Sequence, residues 1–470
     1  MGNAHTLVLD VGKTKSRLTL WVEAGACVAR RTRMNGLAEP SPYQALDLAA
    51  LEAWVQQVTA ELAALARIGT IIPVTHGAAC VLLANEHVFT PPLDYEAVIP
   101  PAVVEAYLPN RDPFDATGSP ALPHGLNLGI QLAYLETITP PWPSELQILL
   151  WPQYWAWRWS GVAASEVTSL GCHSDLWRPC EARPTDLAIS RGWANRLPPM
   201  RAAGDVLATV TEAWITLGVP ADAKVVCGLH DSNAALLGAR AYPEIAGGDA
   251  TIVTTGTWFI AMRLLAFGAS KDPMQTLHED RDCLLNVDAS GRPIPSARFM
   301  GGREAELIAG PDQVWITDNY RLHEDLAAVR GVIAHGSMAL PGFAPCVGPF
   351  PSHSRGWINE PHDRAERRAA LWLYLALMTD VCLDLVGSCG PILVGGRFGE
   401  AQMFVRALAR LRPAQPVFVS YAADDVPFGA LCLMHHDLRP RAALARIEPL
   451  DSDLAAYRAR WCTAVADAAP

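Results

Sequence analysis

Two stretches of this chain share one hydrophobic pattern: an apolar strand, a tight turn of small or hydroxylic residues, and a strand running back. In the first, TLVLDVGKTKSRLTLW, the apolar run ends at Asp10, and Gly12, Lys13 and Thr14 form the bend. Residues 17–21 then return with period-two alternation, which predicts a β-hairpin. The second, ATIVTTGTWFIAM, repeats the pattern with Thr254, Thr255, Gly256 and Thr257 at the bend. Backbone N–H groups on the concave side of such a turn, with nearby hydroxyls or a lysine, suit phosphate oxygens. Hairpins containing glycine are common and mostly structural, so either one alone carries little. Two of them, so far apart in the chain, point to two similar domains that clasp one polyphosphate.

Helical periodicity recurs over residues 46–65, 126–136, 155–159 and 365–386. The tryptophans of WPQYWAWRW read as core or cleft wall. Stretches rich in proline and polar residues, at 91–123 and 140–143, read as loops or insertions over a cleft. A short apolar strand at 224–228 leads through Leu229-His230-Asp231-Ser232-Asn233 into a helix, AALLGARA. Residues 243–249, with Gly247-Gly248-Asp249, read as a hinge, which gives domains of residues 1–244 and 245–470. Farther on, a strand at 391–394 enters Gly395-Gly396 and then a helix at 400–411. Bare glycines there would let a flat base or ribose lie against backbone, and packing at a helix start is the alternative.

The length of 470 residues exceeds the usual limit of one core, in keeping with two domains. Half the residues are apolar and 18 % are charged, the composition of a cored soluble protein. A net charge of −11 with no polybasic run argues against broad binding to nucleic acid or anionic membrane. The longest apolar stretch, 369–386, contains Asp380 and Asp384 and reads as a buried helix, because a bilayer span needs about 20 nearly uncharged residues. The cysteines include no C-x-x-C pair, so zinc-ligand spacing is absent, and reduced thiols without disulfides are expected of a cytosolic protein. No signal peptide is expected, since Asp10 and Lys13 interrupt the only early apolar run.

Taken in chain order, LDVGKTKSR (9–17), GLHDSNAALLGA (228–239), TTGTW (254–258) and ILVGGRFGE (392–400) resemble the motifs of the FGGY carbohydrate kinases, within the actin-like ATPase superfamily. GLHDSNAA is the most specific of these matches, and the resemblance covers nearly the whole chain. It implies an α/β fold of two ribonuclease-H-like domains with the active site in the interdomain cleft, and transfer of the γ-phosphoryl group of ATP to a sugar hydroxyl. In that frame Asp231 is the general base and also touches the substrate. From position alone a plain helix cap is the simpler reading, and the order of motifs turns it towards catalysis. A carboxylate at a helix start is expected to stay ionised at neutral pH. Asp10 would help hold Mg²⁺ through bound waters. Gly12, Lys13, Thr14, Lys15 and Arg17, with Thr255, Gly256 and Thr257 opposing them, would serve the phosphates, and Gly395, Gly396 and Arg397 the adenosine. His76, Gly77, Asp94 and His230 are candidate sugar contacts, with His173 and Asp175 as further wall residues. The resemblance also implies a cytoplasmic enzyme with ATP and Mg²⁺ as cofactors and a small sugar as partner. Nucleic-acid and membrane partners are not expected, and homodimerisation is left open.

Three places depart from the common pattern. Lys13 stands where relatives usually carry Gly, Ala or Ser, and Arg397 where the adenosine turn usually has a third glycine. After His76-Gly77, where many relatives carry an acidic residue, this chain has Ala78, Ala79 and Cys80. Losing a bidentate acceptor for vicinal hydroxyls favours a deoxyketose or a shorter polyol. In style the chain lies nearest the rhamnulokinase and L-fuculokinase branch, with xylulokinase-like or ribulokinase-like substrates next. Lys13 and Arg397 also keep open a catalytically impaired paralogue, and a nucleotide-binding regulator of the same fold is a separate alternative.

Overall fold

The computed structural model describes residues 4–39, 41–266, 273–310, 322–421 and 425–468. The chain packs into two units: Met1–Ala241 with Leu285–Pro293 and Asp424–Arg441, and Tyr242–Leu284 with Ile294–Ala423 and Ala442–Pro470. This differs from the single boundary at 244/245. The crossing falls at Ala241/Tyr242, and helix Asp425–Cys432 counts with the first unit because Gly429 lies directly against the Ala234 carbonyl of helix Asp231–Arg240.

The first unit is built on a seven-stranded sheet. Its edge-to-edge order is Val206–Thr209, Lys224–Val226, Ile68–Thr75, His5–Val11, Lys15–Trp21 and Cys27–Met34, with Leu229–His230 continuing beside Ile68–Thr75. His5–Val11 is apolar and buried along nearly all its length because it is a central strand, antiparallel to Lys15–Trp21 and parallel to Ile68–Thr75. One hydrophobic core joins these strands to helix Leu48–Leu65 and to Trp151, Trp155 and Trp159. The tryptophan-rich helix starts at Trp151, earlier than the periodicity suggested, with a proline in its first turn, where the missing N–H costs nothing.

The proline-rich stretch 91–123 is not loop throughout. It carries helices Pro101–Tyr107 and Phe114–Thr117, and Tyr107 enters a separate core with helix Leu128–Ile138 and the three-stranded sheet of Cys80–Ala84, His87–Thr90 and Gln147–Leu150. Pro101 again sits in a first helical turn, so residues read as breakers act here as helix starts.

The second seven-stranded sheet runs in the order Cys283–Val287, Pro293–Phe299, Phe259–Leu264, Ala250–Thr255, Ile392–Gly396, Val417–Val419 and Ala445–Arg446. As in the first sheet, the hairpin's leading strand is flanked by its antiparallel partner on one side and by a later, parallel strand on the other. Helix Arg364–Leu385 begins at Asp363, whose carboxylate caps the N–H groups of Ala365 and Glu366, and it is buried along most of its length. Its Asp380 and Asp384 are met by Arg458 Nε at 2.6 Å and Arg412 Nη2 at 2.7 Å. Among the described residues no helix is long and apolar enough to cross a membrane. The cysteines are free thiols.

Candidate active site

In the first hairpin Asp10 and Arg17 face each other across the strands, and the guanidinium holds Asp10 Oδ2 from Nε at 2.9 Å and Nη2 at 2.5 Å. Burial pushes the Asp10 carboxyl up to about 6; Arg17 opposes that shift and the nearby Asp231 charge adds to it. Gly12 N–H closes the bend on the Lys15 carbonyl at 3.1 Å, while Thr14 and Lys15 are exposed at its tip. Asn35, just past strand Cys27–Met34, braces the turn. Its amide donates to the Gly12 carbonyl at 2.7 Å, its Oδ1 accepts from the Ser16 hydroxyl at 2.7 Å, and its backbone N–H donates to the Thr14 carbonyl at 2.8 Å. No motif marked Asn35.

Strand Leu229–His230 runs parallel to the end of Ile68–Thr75 and pairs His230 with Thr75, which brings His230-Asp231 beside His76-Gly77. Asp231 is the first residue of its helix, three residues earlier than the sequence pattern indicated. Its Oδ1 accepts from the Ser232 N–H at 2.6 Å and the Ser232 hydroxyl at 3.2 Å. Crowding by protein raises its carboxyl above the ordinary range, and His76, Ser232 and Arg17 only partly counter this. Burial therefore outweighs the helix start here, and the carboxyl is raised rather than lowered. A raised carboxylate is the better proton acceptor, and the Asp231 side chain is 28 % exposed where that of His230 is 8 % exposed.

His230 Nε2 lies 3.4 Å from Asp231 Oδ1. Burial holds this imidazole down at about 4, so it is neutral and the contact is not an ion pair. Nε2 also lies 3.9 Å from Cys172 Sγ. Gly77 makes room for the ring, because a β-carbon at that position would sit 2.9 Å from His230 Nε2. His76 donates its backbone N–H to the Val11 carbonyl at 2.9 Å and packs edge-on to Tyr95, and burial lowers its pKa. Behind Asp231, His230 N–H donates to Thr168 Oγ1 at 3.0 Å, and that hydroxyl donates to the buried Glu166 Oε2 at 2.5 Å. Sequence reasoning missed Cys172, Thr168 and Glu166.

Lys13, expected at phosphate, and Asp94, expected at sugar, hold each other. The ammonium donates to Asp94 Oδ1, lies 3.4 Å from Glu96 Oε2, and sits 4.8 Å above the Tyr95 ring. Asp94 is 1 % exposed and also accepts from Glu96 N–H at 2.9 Å. Lys13→Met strands that carboxylate and is expected to cost roughly 3 kcal/mol in urea unfolding, with most of the loss recovered in Lys13→Met/Asp94→Asn. A full loss in the double variant would show that the pair is not coupled. Asp175 is likewise committed, to Arg111 (2.8 Å), Tyr107 (2.7 Å) and Ser119 (2.6 Å). His173 Nδ1 donates to the Leu126 carbonyl at 2.7 Å.

In the second unit, Thr254 and Thr255 lie opposite Gly395 and Gly396 across parallel strands. The buried Thr255 hydroxyl donates to the Gly395 carbonyl at 2.6 Å and accepts from Phe398 N–H at 3.0 Å, so it ties the hairpin to the glycine turn. Gly256 N–H closes the second bend on the Trp258 carbonyl at 2.9 Å, leaving Thr257 exposed. Gly302, in the first turn of helix Gly301–Ala309, donates its N–H to the Thr257 carbonyl at 3.2 Å, a neighbour the motifs did not reveal. Gly396 adopts φ 81° and ψ −171°, and a β-carbon there would lie 2.2 Å from the Thr255 carbonyl oxygen. Arg397 is exposed, with its guanidinium 5.7 Å from the Phe398 ring.

Residues 247–442 match the family described as carbohydrate kinase FGGY, C-terminal domain. A carbohydrate kinase structure from Novosphingobium aromaticivorans is 47 % identical, covers 100 % of both chains and superposes with a TM-score of 0.94. The chain belongs to the FGGY carbohydrate kinase family. This kinase also shares its fold with a xylulose kinase from Rhodospirillum rubrum, at 18 % identity over 98 % of each chain and a TM-score of 0.77. A gluconate kinase from Lactobacillus acidophilus likewise matches at 14 % identity, 99 % of each chain and a TM-score of 0.80. At these two identities the likeness is one of fold. No curated protein matches the sequence. The expected α/β two-domain kinase fold is thus met.

The kinase's buried groups set a pH dependence. Asp10 at about 6 and Glu166 at about 7 take up protons in the folded state that the unfolded chain binds only below the ordinary carboxylate values. Their contribution to stability is full below those unfolded values and is lost as pH rises through 6 to 7. His230, depressed from 6.5 to about 4, contributes fully above 6.5 and loses that contribution as pH falls towards 4. The two raised carboxyls together outweigh His230 over the range they share, so the melting temperature of the ligand-free enzyme is expected to rise as pH falls from about 8 to about 5. A melting temperature that climbs steadily with pH would contradict this account.

Proposed function

We propose that this carbohydrate kinase transfers the γ-phosphoryl group of Mg-ATP to a hydroxyl of a ketose or deoxyketose, with Asp231 as general base. The observation that carries the proposal is Asp231 itself: a carboxylate with a raised pKa, partly open, beside a neutral histidine and near a second carboxylate, Asp10. Phosphoryl transfer asks a protein for positioning, charge stabilisation and one proton acceptor. Asp231 takes the proton from the attacking hydroxyl, and Arg17 and the Ser232 N–H, which favour its charged form, stabilise it until then. His76 and the His230–Cys172 wall orient the sugar. Gly12 and Gly256 spend their N–H groups closing the two bends, which leaves Thr14 and Lys15 on the first hairpin and Thr257 on the second as donors to phosphate oxygens. The Gly395-Gly396 turn takes the adenosine, beside Arg397.

Asp10 fits a magnesium ligand. Arg17 occupies Oδ2, Oδ1 has no partner among the described residues, and repulsion from Asp231 is a charge load that a hard divalent cation relieves. Bound there through waters, Mg²⁺ would offset negative charge on the phosphates.

The branch is read as L-rhamnulose-like or L-fuculose-like, with xylulose-like or ribulose-like substrates next. Ala79 and Cys80 fall within hydrophobic cores, so they add no apolar wall to a sugar pocket. Support for a deoxy sugar comes instead from Cys172, a weakly hydrogen-bonding thiol beside His230. The test is coupled ADP release with Mg-ATP over ketoses, deoxyketoses, aldoses and polyols. Ketose-dependent or deoxyketose-dependent release is expected. ATP binding without sugar-dependent release would overturn the proposal in favour of a regulator or impaired paralogue.

A further inference from the structure

The second unit contains a cavity of about 580 Å³ that shares no residue with the nucleotide hairpin or the glycine turn. It opens between the last turns of helix Arg364–Leu385, helix Ala455–Asp467 and the segment around Arg281. Leu385 precedes the start of strand Ile392–Gly396, whereas Gly395 and Gly396 stand at the strand's other end, about 13 Å farther along it. The cavity therefore faces away from the adenosine turn. Its size falls in the range of small-molecule sites, roughly 300–1,000 Å³.

The walls are built rather than incidental. Phe350 and Trp461 meet edge to face with centroids 6.1 Å apart, so the buried Trp461 fixes the half-buried Phe350 ring as a flat apolar surface. Arg281 is fixed by donating Nε to the Pro349 carbonyl at 3.0 Å and by lying 5.0 Å over the Phe350 ring. Its Nη1 and Nη2 have no partner among the described residues. Among the described residues the one lining carboxylate, Asp384, is already neutralised by Arg412 at 2.7 Å and Arg458 at 3.0 Å. His353 donates Nε2–H to the Val465 carbonyl at 3.0 Å, which leaves its Nδ1 as an acceptor without a partner. A pre-positioned guanidinium fork beside a fixed aromatic ring, with the charge of Asp384 cancelled, suits an anionic group carried on a flat apolar body.

We propose that this cavity is a second ligand site, for a small molecule that joins one carboxylate, sulfonate or phosphate group to a flat apolar body. The probe is anilinonaphthalene sulfonate, titrated into the full chain and followed by its fluorescence. Saturable one-to-one binding is expected, weakened about tenfold or more by Arg281→Gln, which removes the charge, and by Ala466→Trp, which fills the cavity from an exposed helix position. A saturating non-hydrolysable ATP analogue should leave the affinity unchanged. Equal binding by wild type and both variants, or displacement by the nucleotide, would overturn the assignment. Should Arg281→Gln lower the melting temperature, Ala466→Trp decides alone. The readout is independent of turnover, so failure here leaves the kinase reading untouched.

Discussion

Asp231→Asn lowers turnover about a thousandfold while the ATP dissociation constant stays close to that of the wild type. The amide is nearly isosteric and keeps an oxygen for the Ser232 N–H, so the helix start survives, but it cannot take the hydroxyl proton. General-base contributions run at roughly 10²–10⁴ in rate, and a base acts mainly in the transition state. Single-turnover kinetics beside calorimetric ATP titration separate the outcomes. Loss of ATP binding, or turnover within about tenfold of wild type, would make Asp231 a cap rather than the base. The raised pKa adds a second signature: the wild-type rate should fall on the acid side as Asp231 and Asp10 are protonated, the latter near 6.

Gly396→Ala should produce the opposite split. The position has φ 81° and ψ −171°, a region open almost exclusively to glycine, and the new methyl would meet the Thr255 carbonyl oxygen at 2.2 Å. That obstacle is backbone in a paired strand, so it cannot swing aside. Strain and overlap together are expected to cost about 3 kcal/mol or more, or to push the turn out of shape and weaken ATP binding at least tenfold. Denaturant unfolding and ATP titration measure the two routes. A variant with wild-type stability and ATP affinity would remove Gly396 from the nucleotide site.

The hairpins, the long helices and the motif order were legible because they rest on local signals, an apolar run, a period or a short string such as GLHDSNAA. Asn35, Thr168 and Cys172 were not, since each is an ordinary polar residue or thiol until a distant segment is folded onto it. The mutual hold of Lys13 and Asp94 belongs to the same class: either residue alone invites a ligand, and only their proximity shows that they answer each other. The proline-rich stretch misled for a different reason. Proline marks both chain breaks and first helical turns, and Pro101 is the latter. The raised pKa of Asp231 was hidden because a helix start and burial push in opposite directions, and only coordinates show which is larger.

The return of residues 424–441 to the first unit has a consequence for biosynthesis. On the ribosome, helix Asp231–Arg240 emerges long before Asp425–Cys432, the helix that covers it through Gly429. The unit that holds Asp231 therefore cannot mature until translation is nearly finished, and its uncovered apolar face must meanwhile be shielded from other nascent chains. A premature stop anywhere before that late helix would yield an aggregating fragment rather than a half-active enzyme.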